Sequence, residues 1–191
     1  MSKNSQVLDS PGRCSPLDFS LVLHWLREEC EKRQVRFALC GGVAMAAYGL
    51  GRITFDVDLA MEATDQDAMI DLLERRGYET LHRSAGFSNH RHHDPRWGQV
   101  DLVWVRGGTA AALFAAARWL PGPGGHPWPV VSPEHLAAMK LHALSQDPRR
   151  WEDWGDLRFL LGLEGVDRDR IRWEFVRRGW EQRYEELLAG G

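Results

Sequence analysis

Apolar and polar residues alternate with two different periods along this chain of 191 residues. Residues 35–40 form a short apolar run typical of a buried strand, and residues 53–60 predict a second strand in which acidic and apolar residues alternate. Between these two strands, a pair of glycines predicts a turn, and the segment of small residues that follows predicts a short helix. Residues 78–93 predict a polar hairpin, and residues 98–105 predict a further apolar strand.

The other apolar positions recur every three or four residues, as on one face of an amphipathic helix. Helices are predicted at residues 16–32, 65–76, 109–119, 132–144, 151–161 and, as one or two helices, within 168–188. A turn-rich segment at 121–129 separates the strands from the last helices. The pattern therefore predicts a flexible tail at 1–15, a sheet domain at 16–125 and a C-terminal helical segment at 126–191.

Composition and charge argue against several classes of protein. The chain is 43% hydrophobic and 27% charged, with a net charge of −3, which is ordinary for a globular domain. A nucleic-acid-binding domain normally carries a basic footprint, so the acidic balance argues mildly against an RNA partner. Cys14, Cys30 and Cys40 lack the spacing of a disulfide framework or a zinc site. Neither a signal peptide nor a membrane-length apolar run is visible, which predicts a cytoplasmic protein without a membrane partner.

Two aspartates give the second strand its chemistry. Asp56 and Asp58 occupy alternate positions, so their side chains share one face, and Phe55, Val57 and Leu59 are expected to point into the core. Adjacent carboxylates repel unless a cation lies between them. A hard divalent ion suits such oxygen ligands, and Mg²⁺ usually brings substrate phosphates with it.

Two further features accompany these aspartates. Gly41 and Gly42 follow the first strand, where glycine lets a ligand approach the backbone closely, although such a pair can also be a simple turn. Asp101 is a lone acid in the apolar strand 98–105, where an unpaired buried carboxylate would be costly. The alternative for Asp101 is an exposed position on an edge strand.

The order of these features resembles the nucleotidyltransferase superfamily, which has the polymerase-β-like fold. The string Arg52-x-Thr54-x-Asp56-x-Asp58 is similar to that of its small bacterial members. The resemblance implies an α+β (α/β) fold, with a mixed twisted β-sheet flanked by helices and followed by a small helical segment. It also implies that Asp56, Asp58 and Asp101 are catalytic and bind one or two Mg²⁺, with Asp101 as a metal ligand or as the base for the attacking hydroxyl.

A second string resembles the AbiEii-like nucleotidyltransferase toxins: Lys140, then Asp153 and Asp156 on the next helix. The resemblance implies that the lysine contacts the nucleotide phosphates and that the following acids support the site. A surface acidic pair beside a solvated lysine would have the same spacing. The nucleotide-binding candidates are Gly41, Gly42, Arg52, Thr54, Lys140, Asp153 and Asp156.

The implied activity is Mg²⁺-dependent transfer of an NMP group from an NTP to an acceptor hydroxyl, of EC 2.7.7 type. The acceptor would be tRNA or protein in a toxin, with a cognate antitoxin as partner. The aminoglycoside and lincosamide nucleotidyltransferases have a similar Gly-Gly and Asp-x-Asp block, so a small-molecule antibiotic is an alternative acceptor. A non-catalytic nucleotide- or partner-binding module is a further alternative. His90, His92 and His93 are interpreted as an exposed hairpin rather than a metal site, because no carboxylate or cysteine has a familiar spacing to them.

Overall fold

A computed structural model describes residues 17–51, 53–122 and 125–189. The tail expected at 1–15 and the predicted ligand Arg52 lie outside the described residues. The strands are β1 (Phe37–Leu39), β2 (Asp56–Glu62), β3 (Tyr78–Arg83), β4 (Phe87–His92), β5 (Gln99–Val105), β6 (Arg118–Pro121) and β7 (Pro127–Val130). The helices are α1 (Phe19–Arg33), α2 (Gly41–Ala47), α3 (Gln66–Arg76), α4 (Gly107–Ala115), α5 (Pro133–Gln146), α6 (Trp151–Gly162), α7 (Arg168–Val176) and α8 (Glu181–Ala189).

All described strands belong to one mixed sheet in the order β3-β4-β5-β2-β1-β7-β6. The central strand β2 runs parallel to β5 and antiparallel to β1. Its buried residues Val57, Leu59, Ala60 and Met61 belong to the hydrophobic core. The mixed α/β architecture expected from the sequence is confirmed, and the Asp-x-Asp strand lies in the middle of the sheet.

Strands β6 and β7 were not expected from the sequence, because β7 contains two prolines. Proline lacks the N–H that a ladder requires. Pro127 and Pro129 alternate along β7, so their missing donors fall on the same edge of the strand. Pairing with β1 is confined to Leu39 and Val130, while the antiparallel pairing with β6 covers four positions. The sheet therefore continues past residue 125, and the helical segment begins at Ser132, whose side chain caps α5.

Two expected positions along the chain are corrected. Helix α1 begins at Phe19, where the Asp18 side chain accepts a hydrogen bond of 3.0 Å from the Leu21 N–H. Strand β2 begins at Asp56, so Phe55 precedes it and is 79% exposed rather than buried in the core. Ile53 is similarly exposed, at 78%. The alternation that holds inside the strand does not extend to the residues before it.

The β3–β4 hairpin is present and His93 is exposed as expected, but His90 and His92 are not. His90 is fully buried and His92 nearly so. The His90 ring contacts the hydroxyls of Thr80 at 3.0 Å and Ser88 at 2.8 Å, and burial lowers its pKa to about 4. The His92 ring packs against Tyr78 with a centroid distance of 4.9 Å, so both buried histidines belong to the packing of the hairpin.

The helical segment packs on itself and leaves two tryptophans outside. Helix α5 contacts α6 and α7, and Leu157, Leu160 and Phe175 are buried there. Trp151 and Trp173 are 79% and 58% exposed. No helix in the described part of the chain is long and apolar enough to cross a membrane.

Candidate active site

The three predicted acids meet on one face of the β2–β5 pair. In the parallel register Asp58 lies beside Asp101, and Asp56 lies beside Gln99, two residues earlier on β5. One carboxylate oxygen from each of Asp56, Asp58 and Asp101 lies within 4.8 Å of the other two. Residues that alternate along a strand share a face, so the register brings Asp101 to the Asp-x-Asp pair.

This cluster is electrostatically unfavourable without a counter-charge. Burial, together with repulsion from Asp56 and Asp101, raises the pKa of Asp58 from 3.8 to about 7. Burial also raises the pKa of Asp101, and hydrogen bonds from Asn89 and Gln99 only partly oppose it. Three converging carboxylates form an all-oxygen ligand set, which suits a hard divalent cation such as Mg²⁺. The residues present therefore fit the metal that the fold implies.

Gly41 and Gly42 lie directly against the acids, at the start of α2. Gly41 has φ of +53°, and a Cβ there would lie 1.9 Å from Asp58 Oδ2. A Cβ on Gly42 would lie 2.4 Å from Thr54 Oγ1. The Gly42 N–H donates to Asp58 Oδ2 at 3.4 Å, and Thr54 Oγ1 donates to Asp56 Oδ1 at 2.7 Å. Both positions therefore require glycine for the close approach of backbone and side chains.

Two amide side chains that the sequence interpretation missed contact Asp101. Asn89 lies opposite Asp101 in the β4–β5 ladder, and its Nδ2 donates to Oδ1 of Asp101. Gln99 Nε2 donates to the same oxygen at 3.2 Å. Arg91 donates to the Gln99 amide oxygen at 3.3 Å, which directs the amide nitrogen towards Asp101. Gln99 could have been found from its spacing to Asp101, but Asn89 depends on the strand register.

A second charged group lies on α5 and α6. Lys140 Nζ lies 2.6 Å from Asp153 and 2.7 Å from Asp156, and all three side chains are buried. Burial alone would lower the pKa of Lys140, but the hydrogen bonds and charges of the two carboxylates outweigh it and raise the pKa. Arg150, which the sequence interpretation did not single out, also pairs with Asp153. The expected approach of both acids to Lys140 is present, and the alternative of a solvated surface lysine is not.

One cleft of about 810 Å³ joins the two charged groups. Its lining includes the predicted residues Gly41, Gly42, Thr54, Asp56, Asp58, Asp101, Lys140 and Asp153. Asp156 is not part of this lining but contacts Lys140. The exposed side chains of Ile53 and Phe55 also line the cleft, together with Arg150. The described lining of the cleft thus combines acids, close backbone approach and two cationic side chains from the helical segment, Lys140 and Arg150.

Solved structures with the same fold are nucleotidyltransferases. The antibiotic-resistance factor ANT(2'')-Ia aligns with a TM-score of 0.64 at 15% identity, covering 90% of this chain and 95% of that one. The lincosamide antibiotic adenylyltransferase LnuA aligns with a TM-score of 0.51 at 16% identity, covering 78% and 99%. A nucleotidyltransferase-like protein from Paracoccidioides brasiliensis gives 0.56 at 18% identity, covering 92% and 94%. No curated protein sequence matches the chain.

This chain therefore shares the fold of these nucleotidyltransferases, and its three-carboxylate site lies on that fold. The model of the family described as nucleotidyl transferase AbiEii toxin, Type IV TA system, matches residues 104–189. The match covers less than half of the chain. It contains Lys140, Asp153 and Asp156 but begins after Asp101, so it bears on the helical wall of the cleft.

Proposed function

We propose that this protein is a Mg²⁺-dependent nucleotidyltransferase that moves an NMP group from an NTP to an acceptor hydroxyl and releases pyrophosphate. The observation that carries the proposal is the convergence of Asp56, Asp58 and Asp101 beside Gly41 and Gly42. Carboxylates that repel one another need a divalent cation. Gly41 and Gly42 line the same cleft, and glycine lets the backbone approach a phosphate chain closely.

In the proposed reaction the acceptor oxygen bonds to the α-phosphorus of the NTP. The bond from that phosphorus to the oxygen bridging to the β-phosphorus breaks, and pyrophosphate leaves with the bonding electrons. Asp101 accepts the proton of the attacking hydroxyl. Asp56 and Asp58, with Asp101, would hold one or two Mg²⁺, which when bound neutralise charge on the triphosphate.

The donor phosphates are assigned to the side of the cleft that contains the glycines. Gly41 and Gly42 supply the close backbone approach, and Thr54 and Arg52 are the neighbouring nucleotide-binding candidates. Lys140, with Asp153 and Asp156, forms the opposite wall, and its assignment as a phosphate contact rests on the resemblance to AbiEii-like toxins. We infer a cytoplasmic location, because the proposed reaction uses an NTP as donor.

Two acceptor classes are supported by different observations. The match of residues 104–189 to the AbiEii toxin family supports a toxin-like acceptor, tRNA or protein, and a cognate antitoxin. The likeness to ANT(2'')-Ia and LnuA over nearly their whole length supports an antibiotic hydroxyl as the second candidate. The net charge of −3 favours a protein or a small molecule over RNA, because RNA affinity depends on Lys and Arg contacts to phosphate.

The proposal is tested by label transfer from each of the four NTPs, labelled at the α-phosphate, in the presence of Mg²⁺. Total tRNA, a cell protein extract and a panel of aminoglycosides and lincosamides serve as acceptor pools. We expect label in one pool from one NTP, and its loss with EDTA or in Asp58→Ala. Asp71→Ala, at an exposed position on α3, is the matched control and should keep full activity. The melting temperature with each NTP is the second readout. If no NTP raises it and none labels any pool, the result favours the non-catalytic binding module over the proposed function.

A further inference from the structure

Two side chains with a permanent positive charge line the described part of the cleft, and they differ in how their charge is matched. Lys140 is 10% exposed and lies within 2.7 Å of a carboxylate oxygen from each of Asp153 and Asp156. Its single charge is therefore matched by two carboxylates inside the protein. The two carboxylates occupy two of the three N–H donors of the ammonium, so at most one donor of Lys140 is left for a phosphate.

Arg150 is placed differently. Its side chain is 53% exposed and lines the cleft, and its Nε pairs with Oδ2 of Asp153. An arginine carries five N–H donors, so this contact leaves the four donors on the two terminal nitrogens for another ligand. Asp153 binds Lys140 through its other oxygen, Oδ1. One buried carboxylate thus fixes the position of the exposed guanidinium and is itself fixed by the buried amine.

Arg150 does not stabilise helix α6, at whose N-terminus it lies. It is the N-cap residue of α6 and makes no side-chain cap hydrogen bond. A positive charge at a helix N-terminus is opposed by the helix dipole. The hydrogen bond to Asp153 raises the pKa of Arg150. Arg150 lines the same cleft as the aspartate cluster, so it can interact with a ligand bound there.

We propose that Arg150 binds the phosphate oxygens of the donor nucleotide, with Asp153 and Lys140 as its positioning residues. This inference rests on the proposed function. A triphosphate brings several negative charges next to three carboxylates, so it needs a cation from the opposite wall as well as a metal. The planar guanidinium can bind two phosphate oxygens at once, which the ammonium of lysine cannot.

The chain offers a matched control in the preceding residue. Arg149 is 86% exposed, pairs with Asp147 at 2.9 Å and is not among the residues that line the cleft. Arg149→Ala and Arg150→Ala remove the same charge from adjacent positions. A loss of NTP affinity through net charge alone would appear equally in both variants.

The test is calorimetric titration of the full chain with each of the four NTPs, and with the corresponding NMP, in the presence of Mg²⁺. For the NTP that the wild type binds, we expect Arg150→Ala to raise Kd by about 10- to 100-fold, the range typical of losing one charge-assisted phosphate contact. Arg149→Ala should change Kd less than twofold. The effect on the NMP should be smaller, because it lacks the β- and γ-phosphates. Arg150→Lys should restore only part of the affinity.

The outcomes separate this inference from the proposed function. If the wild type binds no NTP, the proposed function fails. If the wild type binds an NTP and Arg150→Ala binds it as tightly as Arg149→Ala does, the role of Arg150 is refuted while the function stands. Should Arg150→Ala lower the melting temperature, Arg150→Gln can keep a donor to Asp153 without the charge, and unchanged NTP affinity in that variant would equally refute the inference.

Discussion

Replacement of Asp58 by asparagine should stabilise the metal-free protein at pH 8 and abolish nucleotidyl transfer. Burial and the charges of Asp56 and Asp101 raise the pKa of Asp58 from 3.8 to about 7. For an acid whose pKa is higher in the folded state, ionisation disfavours folding. Stability is therefore lost as the pH rises from about 4, the unfolded value, to about 7. Asparagine has nearly the same shape and no charge, so it avoids this loss.

The size of the effect follows from the shift. A change of about 3 pKa units corresponds to about 4 kcal/mol at 1.36 kcal/mol per unit. The Asp58 side chain lies at the cleft and is only partly buried from solvent, so water reduces the cost. We expect Asp58→Asn to raise the free energy of unfolding by about 2 kcal/mol at pH 8. For a chain of this size, that raises Tm by roughly 4–8 °C.

The assay is urea unfolding in EDTA at pH 8 and at pH 4, with Asp71→Asn as the exposed control. The advantage of Asp58→Asn should be present at pH 8 and nearly absent at pH 4, where the wild-type carboxyl is protonated. Millimolar Mg²⁺ at pH 8 should raise Tm of the wild type but not that of Asp58→Asn, because a ligand stabilises only the form that binds it. An Asp58→Asn protein no more stable than wild type at pH 8, or equally stabilised at both pH values, would refute the repelling-carboxylate account.

Three further changes test the surrounding structure. Gly42→Ala should lower the transfer rate at least tenfold through the close contact of its added Cβ, while Gly155→Ala, in open space on α6, should keep activity and gain about 0.5–1 kcal/mol of stability in urea unfolding. Lys140→Met should cost about 3–5 kcal/mol in the same assay, because it removes the buried cation that Asp153 and Asp156 share; a change below 1 kcal/mol would contradict the buried ion pairs. Asn89→Leu removes the amide that holds Asp101 and should weaken binding of Mn²⁺, used as a probe for the divalent site, about 10- to 100-fold. Calorimetry measures this binding, and an unchanged Kd would show that the amide does not orient the carboxylate.

Local spacing was sufficient to predict the centre of the site. Asp56 and Asp58 share a face because strand side chains alternate, and this needs no knowledge of the rest of the fold. The glycine pair was also predictable from local sequence, because a strand-to-helix turn beside acids requires close backbone approach. Asp101 was expected from its apolar surroundings and the family resemblance, and its distance to the others follows from the parallel register of β2 and β5.

The remaining parts depend on contacts between elements that are distant in sequence. Phe55 fits the alternating pattern but precedes the strand, so its exposure could not be read from that pattern. Asn89 contacts Asp101 through the β4–β5 register, which depends on the length of the hairpin. Arg150 stands in a run of arginines typical of a solvated surface, and only the packing of α5 against α6 brings it to Asp153.

The two acidic groups of the cleft differ in how their charge is matched, and this difference supports the proposed metal site. Asp153 and Asp156 are buried, and the chain itself supplies their counter-charges, Lys140 and, for Asp153, Arg150. Within the described residues, no lysine or arginine forms an ion pair with Asp56, Asp58 or Asp101. A fold that neutralises one set of buried acids with its own cations, and that brings three further carboxylates together with the pKa of Asp58 near 7, favours binding of a divalent cation at the second set. Added Mg²⁺ should therefore release protons from the protein near pH 7, because the cation binds the ionised form of Asp58.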